Sequence, residues 1–270
     1  MTATERPVQR TIAELLQSVS ASRLSTWQQC RLKFWFRYLS GIVKAKSHAL
    51  HTGSAVHETL KFWNKSRWRG EAPSLKRLHE EFMAVWSKPE HGLAAWGAGE
   101  EAAEQATGWR LLETYFRESP IAPNEKPEAV EVSVEAELKQ HGLPKLVGII
   151  DLVRAGQRIV DFKTTGKTPD PEQVVHTTEA QVTGYALLYR AATGSREQGI
   201  ELHHLVKLKS PKLIVTTLPP ATESQMTRLL RGIESYARGL EQEDFVPSPG
   251  FGCMSCEFFN ECRGWTGGGR

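Results

Sequence analysis

The stretch 146-LVGIIDLVRAGQRIVDFK-163 determines the fold. Two apolar runs flank a Gly-containing turn at 155–157, a pattern typical of two antiparallel strands joined by a short loop. Side chains alternate between the faces of a strand, so Asp161 and Lys163 share one face while Phe162 points to the other, toward a core. Asp151 comes from the first strand of the pair. The hairpin is therefore predicted to bring two carboxylates and a lysine together.

Helical patterns dominate the chain before this hairpin. Ser25 and Gln28 have the spacing of a capping box, which predicts a helix carrying Cys30 on its early turns. The segment 53–57 predicts the start of a second helix, with His57 beside its apolar stripe. Further helical patterns cover 75–86 and 100–116, and strand alternation begins at Ala129. We therefore expect an N-terminal helical insertion ahead of a sheet.

Helices and strands alternate after the hairpin. Thr177 or Thr178 is predicted to cap a helix that carries Gln181 and Tyr185 four residues apart on one face. Two strands and a final helix from Thr222 follow. The order of elements predicts an α/β fold with a mixed sheet flanked by helices.

The segment 164–168, Thr-Thr-Gly-Lys-Thr, has only a superficial likeness to a nucleotide-binding P-loop. That loop needs a glycine where Asp161 stands and a helix directly after its Lys-Thr pair, whereas Pro169 and Pro171 follow here. The pattern therefore excludes a P-loop nucleotide site.

Composition sets broad limits on the class of protein. The chain has 270 residues, 40% hydrophobic and 24% charged, enough to bury a sizeable core. Its apolar runs are too short to span a bilayer, so we expect a soluble, cytoplasmic protein without a membrane partner. A net charge of +3 permits a nucleic-acid partner without requiring one.

The two hairpin carboxylates have the chemistry of a divalent cation site. Phosphodiester hydrolysis uses a hard cation such as Mg²⁺ or Mn²⁺, which prefers carboxylate oxygens like those of Asp151 and Asp161. A lysine two residues beyond one ligand can stabilise the negative charge that develops on the phosphate. This arrangement is typical of a metal-dependent phosphodiesterase.

The four cysteines form a second metal-site pattern. Cys253, Cys256 and Cys262 lie within ten residues, after a Pro-containing segment at 246–249. Cys30 is the one cysteine left to complete a set of four thiolates. Four thiolates suit zinc or a [4Fe-4S] cluster, and the spacing alone does not decide between them.

Together these motifs resemble the RecB/AddB-like branch of the PD-(D/E)XK nuclease superfamily, close to its iron–sulfur members, the AddB nuclease domain and the CRISPR-associated exonuclease family. The resemblance extends from Ser25 to Cys262. The matching motifs are Gly-Ser-Ala-Val-His57 for the motif histidine, Gly-Ile-Ile-Asp151 for the first acid, Asp161-Phe162-Lys163 for (D/E)XK, and Gln181-Val-Thr-Gly-Tyr185 for Gln-x-x-x-Tyr. Arg31 departs from the proline that often follows the family's first cysteine.

The resemblance implies a restriction-endonuclease-like core and a C-terminal iron–sulfur region. It implies that Mg²⁺ or Mn²⁺ is bound by His57, Asp151, Asp161 and the Phe162 carbonyl. Lys163 would assist the water, and Gln181 and Tyr185 would help to place DNA. The cysteine set would hold [4Fe-4S] rather than zinc, as a structural link between the first helix and the C-terminal tail; its members are Cys30, Cys253, Cys256 and Cys262.

The predicted organisation is an N-terminal extension at 1–20, partly disordered, a single nuclease domain at 21–263 and a flexible tail at 264–270. Within the domain, the helical part spans 21–120, the catalytic core 128–241 and the cysteine-rich end 245–263.

The predicted function is that of a metal-dependent DNA exonuclease acting on single strands or DNA ends. We expect a role in recombination, repair or CRISPR adaptation, alone or with a separate helicase, recombination protein or CRISPR integrase. The alternative is a non-catalytic DNA-binding or assembly subunit organised by the cysteine site. The intact catalytic set favours the enzyme.

Overall fold

A computed structural model describes residues 9–88 and 93–267 of the chain. The helices in these ranges are α1 (Ile12–Gln17), α2 (Ala21–Gln29), α3 (Arg31–Tyr38), α4 (His48–Trp68), α5 (Leu75–Trp86), α6 (Glu100–Glu118), α7 (Pro171–Thr193), α8 (Glu223–Glu241) and α9 (Phe259–Gly264). The strands are β1 (Ser18–Ser20), β2 (Ala129–Ala136), β3 (Lys145–Arg154), β4 (Arg158–Thr165), β5 (Gly199–Val206) and β6 (Lys212–Leu218). Short 3₁₀ turns cover Lys139–His141 and Phe251–Ser255.

The chain divides into two compact units, each built from separate segments. The first contains Met1–Lys44, Glu135–Gly148 and Thr222–Arg270, and the second contains Ala45–Val134 and Ile149–Ala221. The domain boundaries expected from the sequence stay predictions. Part of the extension expected at 1–20, residues 1–8, and part of the tail expected at 264–270, residues 268–270, lie outside the described residues.

The second unit contains a mixed sheet, and the fold class expected from the sequence is confirmed. Its strands are ordered β3, β4, β5, β6, with β4 and β5 parallel and the outer pairs antiparallel. The hairpin of β3 and β4 is also confirmed. Gly156 and Gln157 both have positive φ in its turn, and the Glu128 carboxylate accepts hydrogen bonds from their two backbone N–H groups.

One face of this sheet is apolar and the other carries the hairpin carboxylate. Val160, Phe162 and Leu205 are buried in a core that includes Leu60 of α4 and Leu112 of α6. Because side chains alternate along β4, the side chain of Asp161 is directed to the opposite face, where it contacts α7. The predicted core position of Phe162 is confirmed.

Two helix starts differ from those expected. The side chain of Ser47 caps α4, so His57 lies in the middle of a 21-residue helix rather than at its start. Asp170 caps α7, which begins at Pro171 and not after Thr177 or Thr178. Proline fits the first helical position because its missing N–H would have no partner there. Pro171, one of the two prolines that excluded a P-loop, is therefore the first residue of α7.

The first unit places Cys30 between two helices. The side chain of Ser20 caps α2, whereas Ser25 lies inside that helix, so the expected capping box is wrong. Cys30 has extended backbone angles (φ −167°, ψ 117°) and caps the start of α3. Sequence spacing predicted one helix because the interruption involves a single residue without a glycine or proline.

The first unit has its own core between α2 and α8. A Cβ atom on Gly239 would lie 2.1 Å from the Trp27 ring, so only glycine permits this close approach. The Tyr236 hydroxyl donates a hydrogen bond to the carbonyl of Leu15. Among the described helices, none combines the length and apolar character needed to cross a membrane.

Candidate active site

Asp161 is a buried carboxylate surrounded by hydrogen-bond donors. Only 2% of the residue is exposed. Its Oδ1 atom accepts hydrogen bonds from Lys163 Nζ at 3.1 Å, the Tyr185 hydroxyl at 3.1 Å and Gln181 Nε2 at 3.4 Å. The structure therefore brings together four of the residues that the sequence singled out.

The other carboxylate oxygen of Asp161 has no comparable hydrogen bonds. Oδ2 is buried and accepts no hydrogen bond from the described residues, although Lys163 Nζ lies 2.8 Å away. Buried polar atoms are nearly always hydrogen-bonded, and exceptions mark functional positions or the place of a bound ion or water. This oxygen is accordingly a candidate metal ligand.

Asp151 lies beside Asp161, between the buried residues Ile150 and Leu152 of β3. Its Oδ2 atom accepts a hydrogen bond of 3.1 Å from the backbone N–H of Phe162. Burial, and then the negative charge of Asp161, raise the pKa of Asp151 to about 7. Two carboxylates this close disfavour each other's charge, and a divalent cation between them would reverse that effect.

His57 approaches the carboxylates from α4. Its Nδ1 atom lies 3.8 Å from Asp151 Oδ2, and its side chain is 33% exposed. Burial lowers the pKa of His57, while the charge of Asp161 acts in the opposite direction. The ring is thus favoured in the neutral form, which is the form that binds metals.

A close approach of α4 to β4 explains how His57 reaches the site. A Cβ atom on Gly53 would lie 2.9 Å from the Thr164 hydroxyl oxygen. A larger residue at this position would move the helix away from the strand. Gly53 therefore sets the distance at which His57, one turn further along α4, faces the hairpin.

Gln181 and Tyr185 hold the buried carboxylate from α7. Gln181 Nε2 also donates a hydrogen bond of 3.0 Å to the Tyr185 hydroxyl oxygen. Burial and the charges of Asp161 and Asp151 raise the pKa of Tyr185, so its hydroxyl stays a proton donor. Helical spacing placed both residues on one face, and that prediction agrees with their shared contact with Asp161.

The residues present fit a hard divalent cation in their chemistry. They combine two neighbouring carboxylates, one unsatisfied buried oxygen and a histidine favoured in the neutral form. Within the described ranges, however, no group of three or more His, Cys, Asp or Glu side chains is already close enough to hold a metal ion. Lys163 contacts the oxygen that a cation would need, so binding requires these side chains to rearrange.

Sequence reasoning did not place two further polar residues at this site. Glu131 has a positive φ of 53°, its side chain is 12% exposed, and its negative charge helps to raise the pKa of Asp151. Acids on a strand usually lie on its solvated face, whereas the side chain of Glu131 is largely buried at a residue with left-handed backbone conformation. The second residue is His204 on β5, which is buried and paired in register with Lys163. Register across strands is not visible in a single sequence.

The four cysteines line one cavity in the first unit. It has a volume of about 360 Å³ and is lined by Cys30, Cys253, Cys256 and Cys262 together with apolar side chains. All four are free thiols. Burial, and then the charges of the other three cysteines, raise the pKa of Cys262. The one distant and three neighbouring cysteines therefore line a single cavity, but within the described ranges they are not close enough together to form a metal-binding group.

Ion pairs join the same two ends of the chain around this cavity. The pairs are Arg31 with Asp244, Arg37 with Glu257, and Lys44 with Glu261. The backbone N–H of Leu32 also donates a hydrogen bond to the Val246 carbonyl. The protein chain itself thus holds the cysteine-rich end against α3.

A mixed sheet with a carboxylate pair, an adjacent lysine and a Gln–Tyr pair on the covering helix has the chemistry suited to metal-assisted phosphodiester hydrolysis. The sequence matches the PD-(D/E)XK nuclease superfamily over residues 18–263, and the chain belongs to that superfamily. Its members typically use divalent metals such as Mg²⁺.

One solved structure supports this fold. The chain is similar to the crystal structure of a protein from Eubacterium rectale assigned as an exonuclease, with a TM-score of 0.60 and 16% identity. That match covers 100% of this chain and 96% of the other. The chain is less similar to SSO0001, with a TM-score of 0.37 and 15% identity over 94% of this chain and 96% of the other. For LHK-Exo in complex with dAMP, the TM-score is 0.31 and the identity 10%, over 83% of this chain and 91% of the other. No curated protein matches the chain.

Proposed function

We propose that this chain is a divalent-metal-dependent deoxyribonuclease that acts as an exonuclease on single strands or DNA ends. The observation that carries the proposal is the Asp161 carboxylate. Oδ1 is held by three donors, while the buried Oδ2 accepts no hydrogen bond within the described ranges. A purely structural carboxylate would have both oxygens satisfied. The imbalance, beside a second carboxylate, favours a metal-binding role.

Each residue of the site has a role in this proposal. Mg²⁺ or Mn²⁺ would be held by His57, Asp151, Asp161 and the carbonyl of Phe162. When bound, such a cation polarises the phosphate and lowers the pKa of the attacking water. The ammonium of Lys163, 2.8 Å from Asp161, stabilises negative charge on the phosphate. Gln181 and Tyr185 fix the orientation of Asp161 and line the place where DNA would lie.

Exposed lysines at one edge of the sheet support DNA as the substrate. Lys212 is paired with Val206, which is paired with Thr165, so alternation puts Lys212 on the same face as Lys163. Lys167 and Lys209 are exposed in the neighbouring loops. None of Lys167, Lys209 and Lys212 forms an ion pair with a described residue. Lysines without acidic partners are available to neutralise the phosphates of a DNA strand.

We also propose that the cysteine-lined cavity holds a [4Fe-4S] cluster, with zinc as the less favoured occupant. Four free thiols that line one cavity support a thiolate-bound centre, which would form once they move closer together, and the apolar lining of Leu32, Phe36 and Phe258 would exclude water from it. Its role would be structural. A separate helicase, recombination protein or CRISPR integrase as partner stays a prediction.

Cleavage of end-labelled DNA tests the proposed activity. Purified protein would be incubated with linear and circular single strands and with blunt duplex, in Mg²⁺, in Mn²⁺ and in EDTA. We expect cation-dependent release of nucleotides from linear DNA and no cleavage of circles. Asp161→Asn should abolish the activity, whereas Glu80→Gln, on the exposed side of α5, should match wild type.

The outcomes separate the candidate functions. Cleavage of circular strands at the rate of linear ones would retain the nuclease and reject the exonuclease. DNA binding with equal background cleavage by wild type and Asp161→Asn would reject the enzyme and favour the non-catalytic DNA-binding subunit.

A further inference from the structure

His204 lies beside the proposed catalytic lysine in the sheet. Lys163 of β4 and His204 of β5 are partners in the parallel register. Paired residues on neighbouring strands point to the same face and are about 4.8 Å apart in the hydrogen-bonding direction. The ring of His204 is therefore on the face that carries Asp161 and Lys163, and only 6% of the residue is exposed.

The buried ring has an unused polar atom. Nδ1 of His204 is inaccessible to solvent and has no hydrogen-bond partner among the described residues. Burial lowers the pKa of His204, the charge of Asp161 and a polar contact of the ring with the Leu202 backbone oppose this effect, and the charge of Lys163 reinforces it. A neutral imidazole has one nitrogen with a free lone pair, which accepts hydrogen bonds. A buried acceptor next to a lysine ammonium is accordingly available but unoccupied in this arrangement.

The ammonium of Lys163 occupies the carboxylate that a cation would bind, and a second hydrogen-bond acceptor would give this ammonium another partner. Its Nζ atom lies 2.8 Å from Oδ2 and 3.1 Å from Oδ1 of Asp161, so it contacts both carboxylate oxygens. In the proposed function the same carboxylate binds a cation, and a cation and an ammonium repel each other across one oxygen. The ammonium must then move while remaining beside the reacting phosphate.

We propose that His204 is a positioning residue for Lys163, and that its Nδ1 atom accepts a hydrogen bond from the lysine ammonium when Asp161 is engaged by a cation. This inference rests on the proposed nuclease function. His204, a buried residue of β5, would thus orient the ammonium of Lys163 on the neighbouring strand β4. The matched substitutions follow from side-chain geometry: asparagine places an amide atom where Nδ1 stands, glutamine reaches toward the Nε2 position, and leucine removes the acceptor.

A double-mutant cycle distinguishes positioning from packing. Removing a group that orients an active-site residue typically costs about 10–100-fold in activity. We expect His204→Leu to lower kcat by that factor, with KM changed by no more than about twofold. His204→Asn should keep most of the wild-type kcat, whereas His204→Gln should be nearly as slow as His204→Leu. In a Lys163→Met background, His204→Leu should lower the residual kcat by less than about twofold, because coupled residues are not additive.

A measurement without turnover gives an independent readout. In protein labelled with ¹⁵N-histidine, a signal missing from the folded His204→Asn variant belongs to His204. We expect its Nδ1 resonance to move from a free to a hydrogen-bonded position when Ca²⁺ or Mg²⁺ is added without DNA, and to stay unmoved in Lys163→Met. Thermal unfolding of each variant reports whether it folds, and the wild-type spectrum remains informative if His204→Leu does not.

Three results would overturn the inference. These are wild-type kcat in His204→Leu, losses that multiply in the double mutant, or an Nδ1 resonance unmoved by the cation. In each case Lys163→Met would still cleave far more slowly than wild type, so the nuclease function would stand. Full cleavage by both Lys163→Met and Asp161→Asn would instead reject the proposed function and this inference with it.

Discussion

The Tyr185 hydroxyl donates a hydrogen bond of 3.1 Å to Oδ1 of Asp161. Gln181 donates to the same oxygen and to the hydroxyl, so one turn of α7 fixes one side of a buried carboxylate. The other oxygen, Oδ2, is contacted by the Lys163 ammonium at 2.8 Å and accepts no hydrogen bond from the described residues. A helix that covers the sheet thus determines which oxygen is available to a ligand.

Tyr185→Phe should weaken the site without unfolding the protein. The change removes one hydroxyl that orients a proposed metal ligand, which typically costs about 10–100-fold in metal affinity or activity. We expect the Mn²⁺ concentration for half-maximal cleavage to rise accordingly. Tyr189→Phe, one turn further along α7, is the matched control because its hydroxyl does not contact Asp161. Equal effects of the two substitutions would contradict the assigned role of Tyr185.

Asp151→Asn should stabilise the metal-free protein while abolishing cleavage. The pKa of Asp151 is raised to about 7 from an ordinary value of 3.8. A carboxyl with a raised pKa in the folded state lowers the free energy of unfolding as pH rises from its ordinary pKa through the raised value. The amide has no such charge, so the variant should gain Tm over wild type at pH 8 and little at pH 4.

Thermal unfolding in EDTA at these two pH values measures the effect. Adding Mn²⁺ at pH 8 should stabilise the wild type more than the variant, since a bound cation favours two ionised carboxylates. A Tm lower than that of wild type at pH 8 in EDTA would show that the buried charge is compensated within the protein.

Much of this site follows from local sequence. Alternation along one strand placed Asp161 and Lys163 on one face with Phe162 in the core, and four-residue spacing placed Gln181 with Tyr185. These relationships hold because the repeat of a strand or helix fixes the direction of nearby side chains. The identity of Asp161 as the buried partner of Tyr185 needed the structure, because it depends on how α7 packs on the sheet.

The wrong or missed features have non-local causes. Helix starts moved to Ser47, Asp170 and Ser20 because several residues could cap and packing selected among them. His204 was missed because its meaning depends on strand register across a crossover through α7. Glu131 could not be placed from the sequence because alternation does not predict a positive φ at a non-glycine residue.

Replacing the lysines at the sheet edge should reduce the salt dependence of DNA binding. Each phosphate neutralised on a single strand contributes about −0.7 to the slope of log K against log salt. Lys167→Ala, Lys209→Ala and Lys212→Ala together should therefore reduce the slope by about 2 if all three contact phosphates. Binding would be measured in Ca²⁺ with the Asp161→Asn variant, which prevents cleavage.

Lys126→Ala is the control for this prediction. Lys126 is exposed but lies near the hairpin turn, two residues before Glu128, whose carboxylate accepts from Gly156. It is thus at the other end of β4 from Lys163, and its removal should leave the slope unchanged. An unchanged slope in the triple variant would show that DNA does not cross the edge carrying Lys212.

The cysteine-lined cavity should matter more for stability than the ion pairs around it. Both connect the same two segments of the chain. Cys30 and Cys256 line the cavity together, and Arg37 forms an ion pair with Glu257. Exposed ion pairs contribute about 0–1 kcal/mol, whereas a structural metal site contributes directly to the free energy of folding. Each kcal/mol lost lowers the Tm by about 2–4 °C in a chain of this size.

Cys256→Ser should therefore lower the Tm well beyond the shift caused by Glu257→Gln, with kcat per folded molecule retained. Anaerobically purified wild type should be brown and contain iron and acid-labile sulfide, and Cys256→Ser should lose this absorbance. Colourless wild type with stoichiometric zinc would reject the [4Fe-4S] cluster yet retain the thiolate site. Equal Tm values for wild type and Cys256→Ser would reject both, because the protein contacts alone would then hold the cysteine-rich end in place.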